Sequence, residues 1–504
     1  MNILLITPSL LSVVVGIIIL LSSFRDHVHE NDWFGKSVSE QGLKKLHTVT
    51  LATLAVSALI ALFTAWSHMG SELHLFSFVG GIPVYFKNDE VSALFVSIVS
   101  VVWPAICIYA FKYMKHEGNE KRFFGIFLIV FAVVIALSFS GNLITFYFCY
   151  ELMTITSMVL VLHNGTKEAI MAALKYLFYS MAGAYCALYG IYILYQNTDS
   201  LTFTPGGTLN LESANANRTI VLIAIFFMLV GFGAKAGMLP LHGWLPTAHP
   251  VAPAPASAAL SAIIVKGGVL AIIRTVYYIV GAEFIRGTWV QYAWMGLALM
   301  TVLMGSMLAY KEKVFKKRLA YSTVSQVSYI IFGLSCLNSV AFQGALLHVV
   351  FHAIIKTSLF LTAGIFIFRT GKIYVDDFVA VGKKYPLTLW GFTFCSLALI
   401  GIPPCSGFIS KWYLAQGALG SDIGLLRFIG PCVLLFSALL TAGYLLPIVI
   451  RGFLPGKECT LTREKEKIDS MSAVVLIMAF FAVILGIFPN PLINFVGGIS
   501  AAVL

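Results

Sequence analysis

Runs of about 20 apolar residues recur along this chain from end to end, and that is the length an α-helix needs to cross ~30 Å of hydrocarbon. The first, ILLITPSLLSVVVGIIILLSS at 3–23, sets the pattern. No water pairs with backbone amides inside a bilayer, so only helices and closed barrels can span it. These runs are too long and too uniformly apolar for the alternating strands of an outer-membrane barrel, each about ten residues long. The expected fold class is all-α integral membrane, a single polytopic domain over 1–504. Composition agrees: 59% of the residues are hydrophobic and 11% charged, whereas a soluble domain carries about 25% charged residues. The first run has no basic residue before it and no small-residue cleavage site after it. It is read as a first span and not as a removable signal.

Fourteen spans are expected, at about 3–23, 48–68, 91–111, 123–139, 142–162, 168–195, 219–240, 252–280, 288–309, 319–337, 341–368, 385–418, 426–450 and 471–490. A net charge of +11 suggests nucleic acid only until the charges are located. The odd-numbered loops hold 23 of the 33 Lys and Arg residues, including KEKVFKKR at 311–318 and REKEKID at 463–469, and the even-numbered loops hold four. The positive-inside rule then puts the odd loops in the cytoplasm and both termini on the outer side of an inner, or cell, membrane. The charge is an orientation signal, with lipid rather than nucleic acid as the surrounding partner.

Seven charged residues fall inside spans: Glu151, Lys175, Lys235, Lys266, Arg274, Lys356 and Lys411. Of the 22 acidic residues only Glu151, in FYFCYELMTIT, is placed there. A lysine at a helix centre costs about 2.5–3.5 kcal/mol on the insertion scale, so such a series is not accidental. Arg274 lies close enough to a helix end to snorkel. Lys175 sits two turns into its span and reads equally well as structure or function. In LLHVVFHAIIK, His348, His352 and Lys356 recur at i, i+4 and i+8 and share one helical face. That face can relay protons, hold a satisfied structural pair, or offer two histidines to a metal; no span carboxylate or cysteine completes a metal site, and a relay is the expected use.

Two spans contain breaks. GAKAGMLPLHGWLP at 233–246 sets Lys235 one turn before Pro240, and LIGIPPCSGFISKW at 399–412 sets two glycines and two prolines before Lys411. Proline removes a backbone donor, and the freed carbonyls are tolerated at depth only beside protein or water. The breaks fall in spans seven and twelve. Five is an odd interval, so the second unit would enter the membrane inverted, as transporter repeats do. A proline-rich stretch opening at His249 leads to Lys266. The eight cysteines form no CxxC, and no Walker or dinucleotide loop occurs, so no metal, cofactor or redox centre is expected in the chain.

The set ELMTI, GFGAKAGMLPLHGWLPTAHPVAPAPASAALSAIIVK, RLAYSTVSQVSYI and GIPPCSGFISKW resembles the antiporter-like proton-translocating membrane subunits of respiratory complex I. It is also similar to their relatives in membrane-bound hydrogenases, formate hydrogenlyases and Mrp-type sodium/proton antiporters. The resemblance covers about 85–450 and implies two inverted five-helix repeats, 123–280 and 288–450. It implies a proton relay of Glu151, paired with Lys235, then Lys266, His348, His352, Lys356 and Lys411, with Lys175 and His249 as accessories. The expected function is proton translocation within an energy-converting redox complex, with other membrane subunits and soluble redox subunits as partners. On that reading the chain is a non-redox subunit of an oxidoreductase or translocase. The alternatives are an Mrp-type antiporter subunit that also handles sodium, the membrane partner of an inorganic-carbon uptake complex, or a structural anchor. The expected absence of a long lateral helix and the WLPTAHPVAPAP motif look closest to the middle-subunit and hydrogenase types.

Overall fold

The computed structural model describes residues 3–30, 40–77, 81, 83–454 and 466–504. Of the loop charges counted above, Lys36, Lys457, Arg463 and Lys465 lie outside the described residues. A helix falls on each of the fourteen expected spans. Among the described residues, eleven helices are long and apolar enough to cross a membrane. The helix at expected span ten, Phe315–Ser335, is not one of them, because serines and basic residues dilute its apolar content. Among the described elements without a counterpart in the expected spans are a pair of antiparallel strands, 72–77 and 83–87, and an apolar C-terminal helix, Asn490–Val503.

The chain divides into two compact units, one of residues 1–177 with 251–256 and one of 178–250 with 257–504. The first contains α1 (Thr7–Glu30), α2 (Glu40–Ser67), β1 (Glu72–Ser77), β2 (Pro83–Lys87), α3 (Glu90–Glu117), α4 (Glu120–Ser138), α5 (Leu143–Val161) and the start of α6 (Lys167–Asn197). Hydroxyl bonds join its spans: Ser12 Oγ reaches Ser57 Oγ at 2.9 Å, and Ser9 Oγ donates to the Ala132 carbonyl at 2.8 Å. The antiparallel strand pair sets Glu72 opposite Lys87, and their side chains form an ion pair at 3.1 Å. Beyond it, buried Asn88 donates to the carbonyls of Thr64, Ala65 and His68 at the C-terminal end of α2. Asp89 and Asn142 then cap α3 and α5 by accepting the Ser92 and Thr145 amides.

The second unit contains the rest of α6, α7 (Arg218–Ala236), the short α8 (Leu245–Val251) up to Pro250, α9 (Ala254–Val280) from Ser257 on, α10 (Trp289–Lys311), α11 (Phe315–Ser335), α12 (Ser339–Thr370), α13 (Pro386–Ile400), α14 (Ser406–Leu419), α15 (Leu426–Phe453), α16 (Ser470–Ile487) and α17 (Asn490–Val503). Its core is α9, which is buried along its whole length, and the 32-residue α12. α12 runs from the Asn338 N-cap to Gly371 with no proline, so its i, i+4, i+8 face stays continuous. Arg369 ties its end to α16 through Glu466 at 2.8 Å and Asp469 at 2.9 Å, and Asp469 is itself the N-cap of α16.

Both expected breaks are present, and each begins at a glycine before the first proline. α7 stops at Ala236 because Gly237 takes φ 82°, a conformation other residues resist. The Met238 amide then reaches the Gly233 carbonyl at 2.8 Å, a Schellman closure. α13 stops at Ile400 in the same manner, with Gly401 at φ 94° and the Ile402 amide on the Leu397 carbonyl at 3.0 Å. α14 restarts against the helix just ended: a Cβ at Gly407 would lie 1.8 Å from the Ala398 carbonyl oxygen. Gly407→Ala is therefore expected to force the two half-helices apart and destabilise the protein by about 1–3 kcal/mol or more. Thermal melting of the detergent-purified variant checks this, and Ser406→Ala, which adds no atoms, is the comparison.

Candidate functional site

Five of the expected site residues come together in the second unit. Lys266 follows a stretch of π-helix, Leu260–Ile264, within α9. The wider turn leaves the Ser261 carbonyl able to accept the Lys266 ammonium at 2.8 Å. The same ammonium lies 2.6 Å from His352 Nδ1, on α12. One turn along α12, the His348 ring centroid is 5.9 Å from that of His352. His348 Nδ1 meets Ser410 Oγ of α14 at 2.8 Å. Tyr329 stacks on His348 at 5.7 Å, and Lys411 Nζ lies 4.9 Å over the same tyrosine ring. On the other side of His352, Lys356 donates to the Leu319 carbonyl at 2.9 Å and to Ser322 Oγ. Lys266, His352, His348 and Lys411 thus form one row, with Lys356 branching from it.

The helix irregularities explain how charges persist at depth. Lys411 donates to the Leu399 and Ile400 carbonyls at 2.6 and 2.9 Å, and these are the last carbonyls of α13, which lack a helical partner. A hydrogen bond to a charged group contributes about 1.5–3 kcal/mol. Two such bonds offset the about 2.5–3.5 kcal/mol that inserting a lysine costs. Lys235 occupies the last turn of α7, where the helix dipole favours a cation, and donates to Ser180 Oγ at 3.1 Å.

The Lys266–His352 contact decides a tautomer. While the ammonium donates to Nδ1, the neutral imidazole carries its proton on Nε2; if the proton crosses, Nδ1–H donates back to a neutral amine. The two heavy atoms hold one proton in either state. The Nε2 atoms of both His348 and His352 are buried without a hydrogen-bond partner among the described residues. A metal bound by this pair is disfavoured, since His352 Nδ1 already faces an ammonium that would repel any cation.

His249 is fully buried in α8, stacks on Phe360 at 4.6 Å, and has Lys356 and Lys316 as electrostatic neighbours. Lys316 was counted in the sequence as a loop charge, yet it is 7% exposed at the start of α11. Glu151 on α5 and Lys175 on α6 belong to the first unit and are half-buried. Arg274 corrects the sequence reading. It does not snorkel; it is 1% exposed, with Phe203 and Tyr278 rings at 4.9 and 4.6 Å. The loop at 199–209 folds over it, its amides taking the Tyr277, Tyr278 and Ile279 carbonyls. Of the cysteines, Cys186 is half-buried and Cys432 exposed. Sequence reasoning missed the hydroxyl partners Ser180, Ser322 and Ser410 and the ring of Tyr329; the serine-rich RLAYSTVSQVSYI held the signal for two of them.

Buried cations beside broken helices in a polytopic chain define an antiporter-like membrane subunit. The family described as NADH:quinone oxidoreductase/Mrp antiporter matches residues 140–437, and the N-terminal family of complex I chain 5 matches 76–124. The chain belongs to the NADH:quinone oxidoreductase/Mrp antiporter family. It is 32% identical over 421 residues to NADH-quinone oxidoreductase subunit N of Desulforudis audaxviator, covering 81% of this chain and 82% of that one. It is 34% identical over 347 residues to hydrogenase-4 component B of Escherichia coli, covering 66% of this chain and 50% of the relative's length. A chain of the Mrp complex from Dietzia sp. has the same fold, with a TM-score of 0.84 at 21% identity over 100% of this chain and 98% of that one.

His352→Leu removes the acceptor for Lys266 and is expected to cost about 1–3 kcal/mol. His352→Asn keeps an acceptor oxygen and should recover most of it. Melting temperatures of the two purified variants check the contact, independently of any transport.

Proposed function

We propose that this chain moves protons through its buried lysine–histidine row as the antiporter-like subunit of a redox-driven membrane complex. The observation that supports this best is the 2.6 Å Lys266–His352 contact, which can hold one proton on either partner. The row continues through His348 to Lys411, which is half-buried in the second break, and Lys356 leads from it towards His249 and Lys316. Glu151 is assigned as the switch: paired with Lys235 it keeps that lysine charged, and on separation burial favours proton release towards Lys266. Moving one charge across 100 mV takes about 2.3 kcal/mol, within reach of such a pair. Lys175 and His249 serve as accessory proton sites.

Protons are favoured over sodium because the row itself is ammonium and imidazole, and the carbonyl and hydroxyl oxygens beside it are engaged by those groups, whereas sodium prefers several hard oxygen ligands. The repeats 123–280 and 288–450 are assigned on the matching breaks, each opening at a left-handed glycine. The basic odd loops are assigned to the cytoplasm and both termini to the outer face of the cell membrane. Soluble redox subunits, reached through neighbouring membrane subunits, supply the drive. Mild-detergent purification identifies the parent complex: hydrogenase or NADH-oxidising subunits support the reading, and Mrp subunits alone would replace it with sodium/proton exchange.

Lys411→Gln keeps a donor for the Leu399 and Ile400 carbonyls but cannot titrate. It is expected to assemble normally and to lower proton uptake by reconstituted vesicles about 10²-fold or more. Parental uptake by this variant would remove Lys411 from the path. Glu151→Gln is expected to impair uptake more than Glu151→Asp, which retains the charge; equal activity of Glu151→Gln and the parent would end its role as a switch.

A further inference from the structure

Within the second unit, a cavity of about 220 Å³ lies where the last turns of α10 and α15 meet the first turn of α11. Tyr310 of α10, Arg318 of α11 and Gly443, Pro447 and Arg451 of α15 line it, with Asp376 from the segment after α12. Backbone pairing fixes that segment: the Val375 amide takes the Lys313 carbonyl at 3.0 Å, and the Phe315 amide takes the Ile373 carbonyl at 2.9 Å. Pro447 has no amide for the Gly443 carbonyl, which is left without its helical partner beside the cavity. Gly443 also leaves room for the Tyr310 ring, since a Cβ there would lie 3.0 Å from it.

The lining is rich in uncommitted donors. Arg318 is buried, and its Nε and Nη1 donate to the Glu312 and Tyr444 carbonyls at 2.7 and 2.9 Å. Those bonds fix the guanidinium without neutralising it, because the Glu312 carboxylate pairs with Lys317 at 2.8 Å. Arg451 Nη1 pairs with Asp376. Nη2 of both arginines and the Tyr310 hydroxyl have no hydrogen-bond partner among the described residues. Two guanidiniums against one carboxylate leave the lining with a net charge of +1. Apolar faces run from this rim along the two helices. Met307, three residues before Tyr310, is exposed on α10, and Phe436, seven residues before Gly443, is exposed on α15.

We propose that this cavity binds the phosphate of an anionic phospholipid, whose acyl chains lie along the exposed faces of α10 and α15. A phosphate diester carries one negative charge, which balances the lining, and its free oxygens accept from Arg318, Arg451 and Tyr310. Arginine forks match phosphate oxygens in geometry, and the bonds are strengthened by charge. The helix ends bring the donors to headgroup level, where a tyrosine ring also sits well. A free phosphate would satisfy the same donors but would leave the apolar faces below them uncovered. The cavity borders the basic loop 311–318, on the side where anionic headgroups collect. None of its residues belongs to the proton row, so the site stands apart from the transport reading.

The test uses the full chain, purified in mild detergent and stripped of lipid, with binding read by native mass spectrometry and by melting temperature. Dioleoyl phosphatidylglycerol is expected to bind saturably and raise the melting temperature. Phosphatidylcholine, which brings a cation to the arginines, and inorganic phosphate should need concentrations about 10-fold higher or more. Arg451→Gln is expected to melt like the parent without lipid, because an exposed ion pair contributes little, and to bind phosphatidylglycerol about 10-fold more weakly. Asp376→Asn frees Arg451 from its competing carboxylate and should tighten binding severalfold. Equal binding by the parent and Arg451→Gln, or weaker binding by Asp376→Asn, would overturn the site. Stabilisation by inorganic phosphate at the concentrations that suffice for phosphatidylglycerol would overturn the lipid as its occupant.

Discussion

An ammonium group held in a membrane interior needs oxygen acceptors, and in a regular helix each carbonyl already has an amide partner. For Lys411 and Lys266 the second unit supplies them where its helices depart from regularity. α13 ends inside the protein and gives two carbonyls to Lys411. The π-turn of α9 gives the Ser261 carbonyl to Lys266. On α11 the Leu319 carbonyl accepts Lys356 together with the Ser322 and Thr323 hydroxyls. The breaks and the buried charges therefore depend on each other: regular helices would strand the lysines, and without the lysines the free carbonyls would be left unpaired in hydrocarbon.

This dependence also constrains how protons occupy the row. Lys266, His352, His348, Lys356 and Lys411 all become positive on protonation, and like charges this close cannot all be held in a low-dielectric interior. Their titrations are coupled, so a proton arriving at one favours departure from another. α12 carries three of the five on one uninterrupted face, which fixes their spacing.

Much of this was legible in the sequence because hydrophobicity and proline leave strong signals. The spans, both breaks and the His348–His352–Lys356 face follow from run length and i, i+4 spacing. The break at α7 was read from Pro240, yet Gly237 ends the helix, since a left-handed closure acts before a missing donor can. Lys316 looked like any loop charge, because burial at a helix start depends on what packs over it. Arg274 looked free to snorkel, because no periodicity announces a distant loop folding across its guanidinium. Serine, threonine and tyrosine are equally at home on any helix, so only packing reveals which hydroxyls meet. The strands at 72–77 and 83–87 and α17 fell outside the pattern through shortness.

The central claim is that protons occupy and leave this row during turnover. Infrared difference spectroscopy of the intact complex, with isotope-labelled histidine, reads the protonation of His352 and His348 directly. If the row carries protons, imidazole bands must change with the onset of turnover and vanish in Lys266→Met. Imidazole bands that stay constant while protons cross the membrane would place the path elsewhere.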